Sequence, residues 1–313
     1  MALESAAAAL GARAPVTADV ATWRDADAGV VEEAAFFGPE GGRVLGLRHL
    51  PASGTARFGV VVLSPLKAEL MKNYRHEVVL ARELAKRGLA VQRLNYRGTG
   101  HSDGVSADIT FEALVEDARA AERELRDRTG VDEVAFLGTR LGGLVAAAVG
   151  GTDTPLVLWE PVAEAGSYFR EIFRARLMSD MRLAKQRQTP KERPSTQALL
   201  DEMTRTGAVD VLGYSIDHAL YESTKERSLA EELAARPRPV LLVQCSRSPD
   251  LRGAYAPMKE RVEAAGRTFR AVIIPAQVAW QFQDTEASRD TWVQPAVAAT
   301  ADWLDQVTTG AAA

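Results

Sequence analysis

The stretch VAFLGTRLGGLVAAAVG, residues 134–150, carries the residue order that most directly suggests chemistry. An apolar run meets a Gly-x-x-x-Gly turn and passes into small residues. That is the pattern of a nucleophile elbow, in which the middle residue of G-x-S-x-G stands exposed above a sheet. Here the turn reads Gly138-Thr139-Arg140-Leu141-Gly142, with an arginine in the middle. A guanidinium stays protonated and cannot attack a carbonyl. It can bind instead: backbone N–H groups at the start of the following helix favour negative charge. Arg140 adds a planar fork suited to a carboxylate, a phosphate or a developing enolate. Glu160, at the end of the TPLVLWEP run, competes with this reading. Neighbouring strands finish side by side, so Arg140 either faces a ligand, with Glu160 behind it, or is used up in an ion pair with Glu160. The sequence leaves both open.

The elements that must position this turn follow from periodicity. EEAAFFGPEG and RVLGLRHLPA form a hairpin through residues 38–42. RFGVVVLSP, residues 57–65, is a near-continuous apolar run, as expected of a strand buried on both faces. A helix over YRHEVVLARELAKRG, a strand over LAVQRLNYRGTG and a helix from Thr110 to near Gly130 follow. After the elbow come the strand TPLVLWEP, the strand RPVLLVQCS, the helix GAYAPMKERVEAAG, the strand TFRAVIIPA and the helix PAVAATADWLDQV. This alternation predicts right-handed βαβ units and a doubly wound, mostly parallel sheet, an α/β fold. Residues 163–235 break the pattern: they are rich in Arg, Lys, Glu, Leu and Met at helical spacing, interrupted by QTPKERPST and VDVLGYSID. They read as an inserted helical lid over the strand ends, where ligands of such sheets bind. The core is then residues 31–162 and 236–308, with flexible tails at 1–30 and 309–313.

Composition narrows the class. Of 313 residues, 46% are hydrophobic and 26% charged, a soluble globular balance, and the net charge of −4 gives no reason to expect nucleic acid or an anionic membrane as partner. No run approaches the roughly 18 apolar residues of a membrane span. The single cysteine, Cys245, lies in an apolar strand pattern and reads as a buried thiol, consistent with a cytoplasmic setting. No metal spacing, Walker loop or dinucleotide fingerprint is present, and neither cofactor nor metal is expected.

Several segments together resemble a known family. NYRGTGHSDG, residues 95–104, is similar to the D-x-R-G-x-G-x-S segment of serine aminopeptidase-like α/β-hydrolases. The segments VVLSPLKAELMKNYRHEVVLARELAKRG, LGTRLGG and LVLWEPVAEAGSYFREIFRARL resemble a narrower bacterial branch that includes the second exosortase-associated hydrolase. That branch similarly carries arginine in the elbow. The resemblance spans about residues 30–308 and implies the α/β-hydrolase fold.

A Ser-His-acid triad needs a nucleophile, a base in reach and an orienting acid. The nucleophile slot holds Arg140. After VLLVQCS the acid slot offers Ser246 to Pro249, with Asp250 displaced beyond them, and after the last strand the base slot offers Ala279 and Trp280. The four histidines, His49, His76, His101 and His218, lie elsewhere. Arg140, Glu160, His101 and Asp250 are the candidate catalytic residues. Ser64, Lys67, Glu69, Thr139, Leu141 and Trp280 are candidate substrate contacts, with Asn73 on the same loop as Lys67 and Glu69. His101 also reads as a solvated turn residue, Trp280 as a plain core residue, and Thr139 or Ser102 as a relocated nucleophile without a base. Three functions remain: a non-serine enzyme of bacterial small-molecule biosynthesis acting on an acyl, carboxylate or carbonyl substrate; a non-catalytic binding or accessory protein; and an esterase or peptidase with a rearranged triad. A homodimer or a biosynthetic partner protein accords with any of them.

Overall fold

The computed structural model describes residues 20–309, apart from 26, 39–41, 188–194, 277, 279 and 281–290. Ala21–Asp25 (β1), Val30–Phe37 (β2) and Val44–Pro51 (β3) form an antiparallel meander at one sheet edge. Phe58–Leu63 (β4) follows, fully buried, as its unbroken apolar run dictates. Next come helix Lys67–Lys86 (α1), strand Leu89–Asn95 (β5), helix Phe111–Thr129 (α2) and strand Val134–Thr139 (β6). A short helix Leu141–Ala148 (α3) leads to strand Leu156–Trp159 (β7). The chain then enters an insertion: helices Ala165–Arg187 (α4) and Thr196–Thr206 (α5), strands Ala208–Val211 (β8) and Tyr214–Asp217 (β9), and helices His218–Thr224 (α6) and Leu229–Ala235 (α7). Strand Val240–Cys245 (β10), helix Ala256–Ala264 (α8), strand Phe269–Ile274 (β11) and helix Val293–Thr308 (α9) complete the fold.

The main sheet has nine strands in the order β1-β2-β3-β5-β4-β6-β7-β10-β11. From β5 to β11 every pairing is parallel, and β3 meets β5 antiparallel. Leu80, Leu84, Ala296 and Leu304 bring α1 and α9 onto one face, while Leu114, Leu144 and Val262 bring α2, α3 and α8 onto the other. Helix signals in the sequence translate directly. Thr110 Oγ1 accepts the Ala113 N–H at 3.1 Å, and Gly130 ends α2 at φ 70°.

Three expectations change. Residues 21–25 are not tail, because they pair with 30–34 as an edge strand. Helix α1 begins at Lys67 rather than near Tyr74, so Lys67, Glu69 and Asn73 are helical rather than loop residues. VDVLGYSID, read as a break in a helical segment, forms the β8–β9 hairpin, with Val209, Val211 and Ile216 buried. Its two-residue turn is Leu212-Gly213, both at positive φ (56° and 89°), as such turns require. The expected turn at 39–41, the QTPKERPST interruption over 188–194, Ala279 and the terminal tails at 1–19 and 310–313 lie outside the described residues.

The insertion is fastened to the core away from its chain connections. Lys67 Nζ meets Asp217 Oδ2 at 3.3 Å, and Ser106 Oγ donates to the same oxygen. The Phe111 N–H donates to Ser223 Oγ at 3.0 Å, and Arg227 pairs with Glu112 at 2.8 Å.

Candidate active site at the Arg140 turn

The β6–α3 turn places Arg140 at φ 52°, ψ −121°, a conformation that costs a non-glycine residue of the order of 1–3 kcal/mol. Its backbone is held on both sides. The Arg140 N–H donates to the Trp159 carbonyl at 3.1 Å, and the Arg140 carbonyl accepts from Gly143 and Val162 at 3.0 and 3.2 Å. Two glycines make the turn possible by close approach. A Cβ on Gly142 would stand 2.1 Å from the Leu63 carbonyl oxygen, and one on Gly138 would stand 2.3 Å from the Gly142 carbonyl oxygen.

The guanidinium is buried, with 8% of the residue exposed. Nε donates to Glu69 Oε1 at 3.0 Å, and Nη1 donates to the Glu160 backbone carbonyl at 3.3 Å. Nη2 lies 3.9 Å from the Glu171 carboxylate, and that side chain is 63% exposed. The rings of Tyr168 and Trp280 each lie 5.6 Å from Cζ, within cation–π range. Glu69 is fully buried and accepts a hydrogen bond from the Tyr168 hydroxyl on Oε2 at 3.1 Å. Burial pushes the Glu69 carboxyl up and Arg140 pulls it back down. Burial opposes the Arg140 charge, but Glu69, Tyr168 and Glu171 together outweigh it and keep the guanidinium protonated. Burial, and then Glu69, push the Tyr168 hydroxyl well above its ordinary range, so it remains a donor.

The Arg140–Glu160 ion pair, one of the two alternatives, does not form. Glu160 sits at φ 45° just past β7, offers Arg140 only its carbonyl, and turns its carboxylate away. Oε1 accepts the Cys245 N–H, and Oε2 pairs with Arg252 Nη1 at 2.8 Å. Arg252 Nη2 also donates to the Cys245 carbonyl at 2.6 Å. The acid that reaches Arg140 comes from the first turn of α1, 71 residues earlier in the chain.

A cleft of about 230 Å³ opens at Arg140, lined also by Val162, Ser167, Tyr168, Glu171, Arg252 and Tyr255. On the other side of the Arg140–Glu69–Tyr168 contact lies a second cavity of about 380 Å³, between α1 and the hairpin. Lys67, Glu69 and Tyr168 line it.

The remaining expected residues divide. Trp280 lies beside Arg140, edge-on to Trp292, which is itself edge-on to Trp159. Thr139 and Leu141 are buried beneath the turn and do not line the cleft. Ser64 is buried in a separate cluster, donating to Glu77 Oε2 at 2.7 Å, where Asn73 also donates to Oε1 at 2.7 Å. His101 is exposed in the turn after β5, outside the cleft lining. Asp250 is exposed and accepts from Ser248 Oγ at 3.1 Å. Ser102 Oγ accepts the Leu45 N–H and donates to the Asn95 carbonyl, a turn role. The Cys245 thiol is buried and pushed up to about 12 by that burial, so it stays protonated. Sequence reasoning missed Tyr168, Glu171 and Arg252. Tyr168 and Glu171 stand three apart on α4, one face of a helix, but nothing in their spacing marks that face as turned toward Arg140. Among the described residues no group of three or more His, Cys, Asp or Glu is placed to hold a metal, and no helix is long and apolar enough to cross a membrane.

A largely parallel sheet wrapped on both faces, with a strained strand–turn–helix at its centre, is the α/β-hydrolase fold. The serine aminopeptidase (S33) family profile matches residues 55–213, and the chain belongs to that family. Among solved structures, Est1E from Butyrivibrio proteoclasticus with bound ferulic acid is similar at 14% identity and a TM-score of 0.60, over 88% of this chain and 99% of that one. An esterase from Pyrococcus furiosus is similar at 13% identity and a TM-score of 0.59, over 92% and 96%. The proline iminopeptidase of Mycobacterium smegmatis is similar at 15% identity and a TM-score of 0.55, over 89% and 99%. At such identities the likeness shows the fold. Comparison with curated proteins returns no match.

Proposed function

We propose that this chain has set aside serine hydrolysis and is a non-serine enzyme that binds a small acyl or carbonyl compound at Arg140. The nucleophile position holds a cation, and Trp280 stands where the base belongs. The observation that carries the reading is the division of labour among the guanidinium nitrogens. Nε and Nη1 are tied to Glu69 and the Glu160 carbonyl, while Nη2, on a residue that lines the cleft, stands 3.9 Å from the exposed Glu171 carboxylate. A carbonyl oxygen placed there receives a charge-assisted hydrogen bond from a fixed, partly desolvated donor.

Charge selects among the substrate forms. Arg140 and Arg252 are already matched by Glu69 and Glu160, and Glu164 and Glu171 add negative charge around the same cleft. Among the described residues lining the cleft no positive charge is left over, which favours a neutral ketone, ester or amide over a carboxylate. The test is calorimetric titration of matched pairs, butyramide against butyrate and acetone against acetate. The neutral member is expected to bind more tightly, and Glu171→Gln to narrow the gap. Arg140→Lys, which lacks the planar fork, should lose about 1.5–3 kcal/mol of binding. Tighter carboxylate binding would return the site to an anion clamp, and no binding by either member would refute the reading. A second reading, a binding protein without catalysis, is favoured by the Arg140–Glu69 pair itself, which holds the guanidinium in place.

A further inference from the structure

The 380 Å³ cavity between α1 and the β8–β9 hairpin has a different chemistry from the Arg140 cleft. Its depth is made of Leu66, Ile172, Val211 and Ile216, all buried. Its mouth carries Met71 and Leu212, which are 70% and 39% exposed. An exposed leucine at the tip of a two-residue turn is unusual, because this turn needs positive φ at both positions and is normally filled by Asn, Asp or Gly. Leu212 adopts φ 56° with its side chain at the cavity mouth, although a branched residue is poorly suited to that conformation. Lys67, on the rim, is at φ 57°. Among the described residues only four non-glycine residues have positive φ. Two of them, Arg140 and Glu160, build the Arg140 site, and the other two border this cavity. Backbone strain of this kind gathers where structure serves binding.

We propose that this cavity is a binding site for an unbranched aliphatic chain, with Leu212 and Met71 as the lip that closes over it. The walls are mainly apolar, with the charged groups of Lys67, Glu69 and Lys72 among the lining. The Lys67 ammonium is engaged by Asp217 and Ser106, and the Glu69 carboxylate is held by Arg140 and Tyr168. What the cavity rewards is therefore length of hydrocarbon. This site is distinct from the carbonyl site, since Tyr168 is, among the described residues, the one lining both spaces, Arg140 lines only the other, and no charge is required of the ligand.

Straight-chain 1-alkanols from butanol to octanol, titrated calorimetrically against the full chain, test this without involving Arg140. Affinity is expected to rise about fourfold per methylene, the factor expected for moving one CH₂ out of water. Leu212→Asn suits the turn better, so it should preserve or raise the melting temperature while weakening octanol at least fourfold. Met71→Asp, at an exposed position that keeps folding intact, should weaken octanol similarly and leave butyramide binding unchanged. Affinity that does not grow with chain length would overturn the proposal. So would growth that is identical in wild type, Leu212→Asn and Met71→Asp, because that would be partition onto apolar surface in general.

Discussion

Replacing Arg140 by methionine tests the energetics of the site directly. Methionine roughly keeps the side chain's length and can lie between the Tyr168 and Trp280 rings, but it removes the Nε bond to a Glu69 that is fully buried. Truncating one partner of a buried pair costs about 3–5 kcal/mol, because the other charge remains out of water. Two cation–π contacts go as well, each worth about 0.5–2 kcal/mol, offset in part by apolar contacts of the new side chain. The net expectation from guanidinium denaturation at pH 7.5 is a loss of about 3–5 kcal/mol. The second substitution decides the cause. Arg140→Met with Glu69→Gln should recover most of the loss. Arg140→Met with Glu160→Gln should recover none and lose more, because Glu160 serves Arg252 and the Cys245 N–H. The pH dependence has a definite sign. Burial raises the Glu69 pKa in the folded protein, and without Arg140 it rises further. The native state then holds a proton that the unfolded chain releases above about pH 4.5, so stability falls as pH rises from there toward the folded pKa. The variant's deficit should therefore be smaller at pH 5 than at pH 8. A deficit below about 1 kcal/mol, the size of an exposed pair, or rescue by Glu160→Gln instead of Glu69→Gln, would refute this account of the site.

Other outcomes are expected. A fluorophosphonate probe should leave the protein unlabelled, and p-nitrophenyl acetate should turn over at the background rate; stoichiometric labelling of any serine would restore hydrolysis. Gly142→Ala should prevent folding or cost several kcal/mol, since its Cβ meets the Leu63 carbonyl oxygen at 2.1 Å; a soluble variant of unchanged melting temperature would contradict that approach. His49 is held neutral with its pKa lowered to about 4, burial being the main cause. The unfolded chain therefore binds more protons between about pH 4 and 6.5, and stability should rise with pH across that window and flatten in His49→Gln. An unchanged slope in that variant would show another group to be responsible.

The sequence carries the fold because its signals are local. The buried run of β4, the Thr110 and Gly130 caps of α2 and the glycine spacing around Arg140 each act within a few residues. The partner of Arg140 is not local. Glu69 and Glu160 are both acids near the elbow, one in the first turn of α1 and one just past β7, and Arg252 draws the Glu160 carboxylate the other way. The hairpin was readable in principle: V-D-V and Y-S-I alternate at a period of two, but four-residue strands among helical segments give little signal. Leu-Gly at its tip hides the turn further, since the usual Asn-Gly or Asp-Gly flag is missing.

The tie among Lys67, Ser106 and Asp217 bears on how small molecules enter. With Ser223 and Arg227 also anchored to α2, the insertion is riveted along its far margin as well as joined at its two chain connections. Such a body does not swing open as one piece, since that would break several polar contacts together. Traffic would pass instead through ports opened by single side chains: Glu171 rotating off Nη2 for one space, Leu212 and Met71 parting for the other. Those rotations occur in picoseconds to nanoseconds, whereas collective domain motions take microseconds to milliseconds. Entry would then be limited by diffusion and desolvation, and a disulfide stapling Asp217's strand to the core should leave association rates almost untouched.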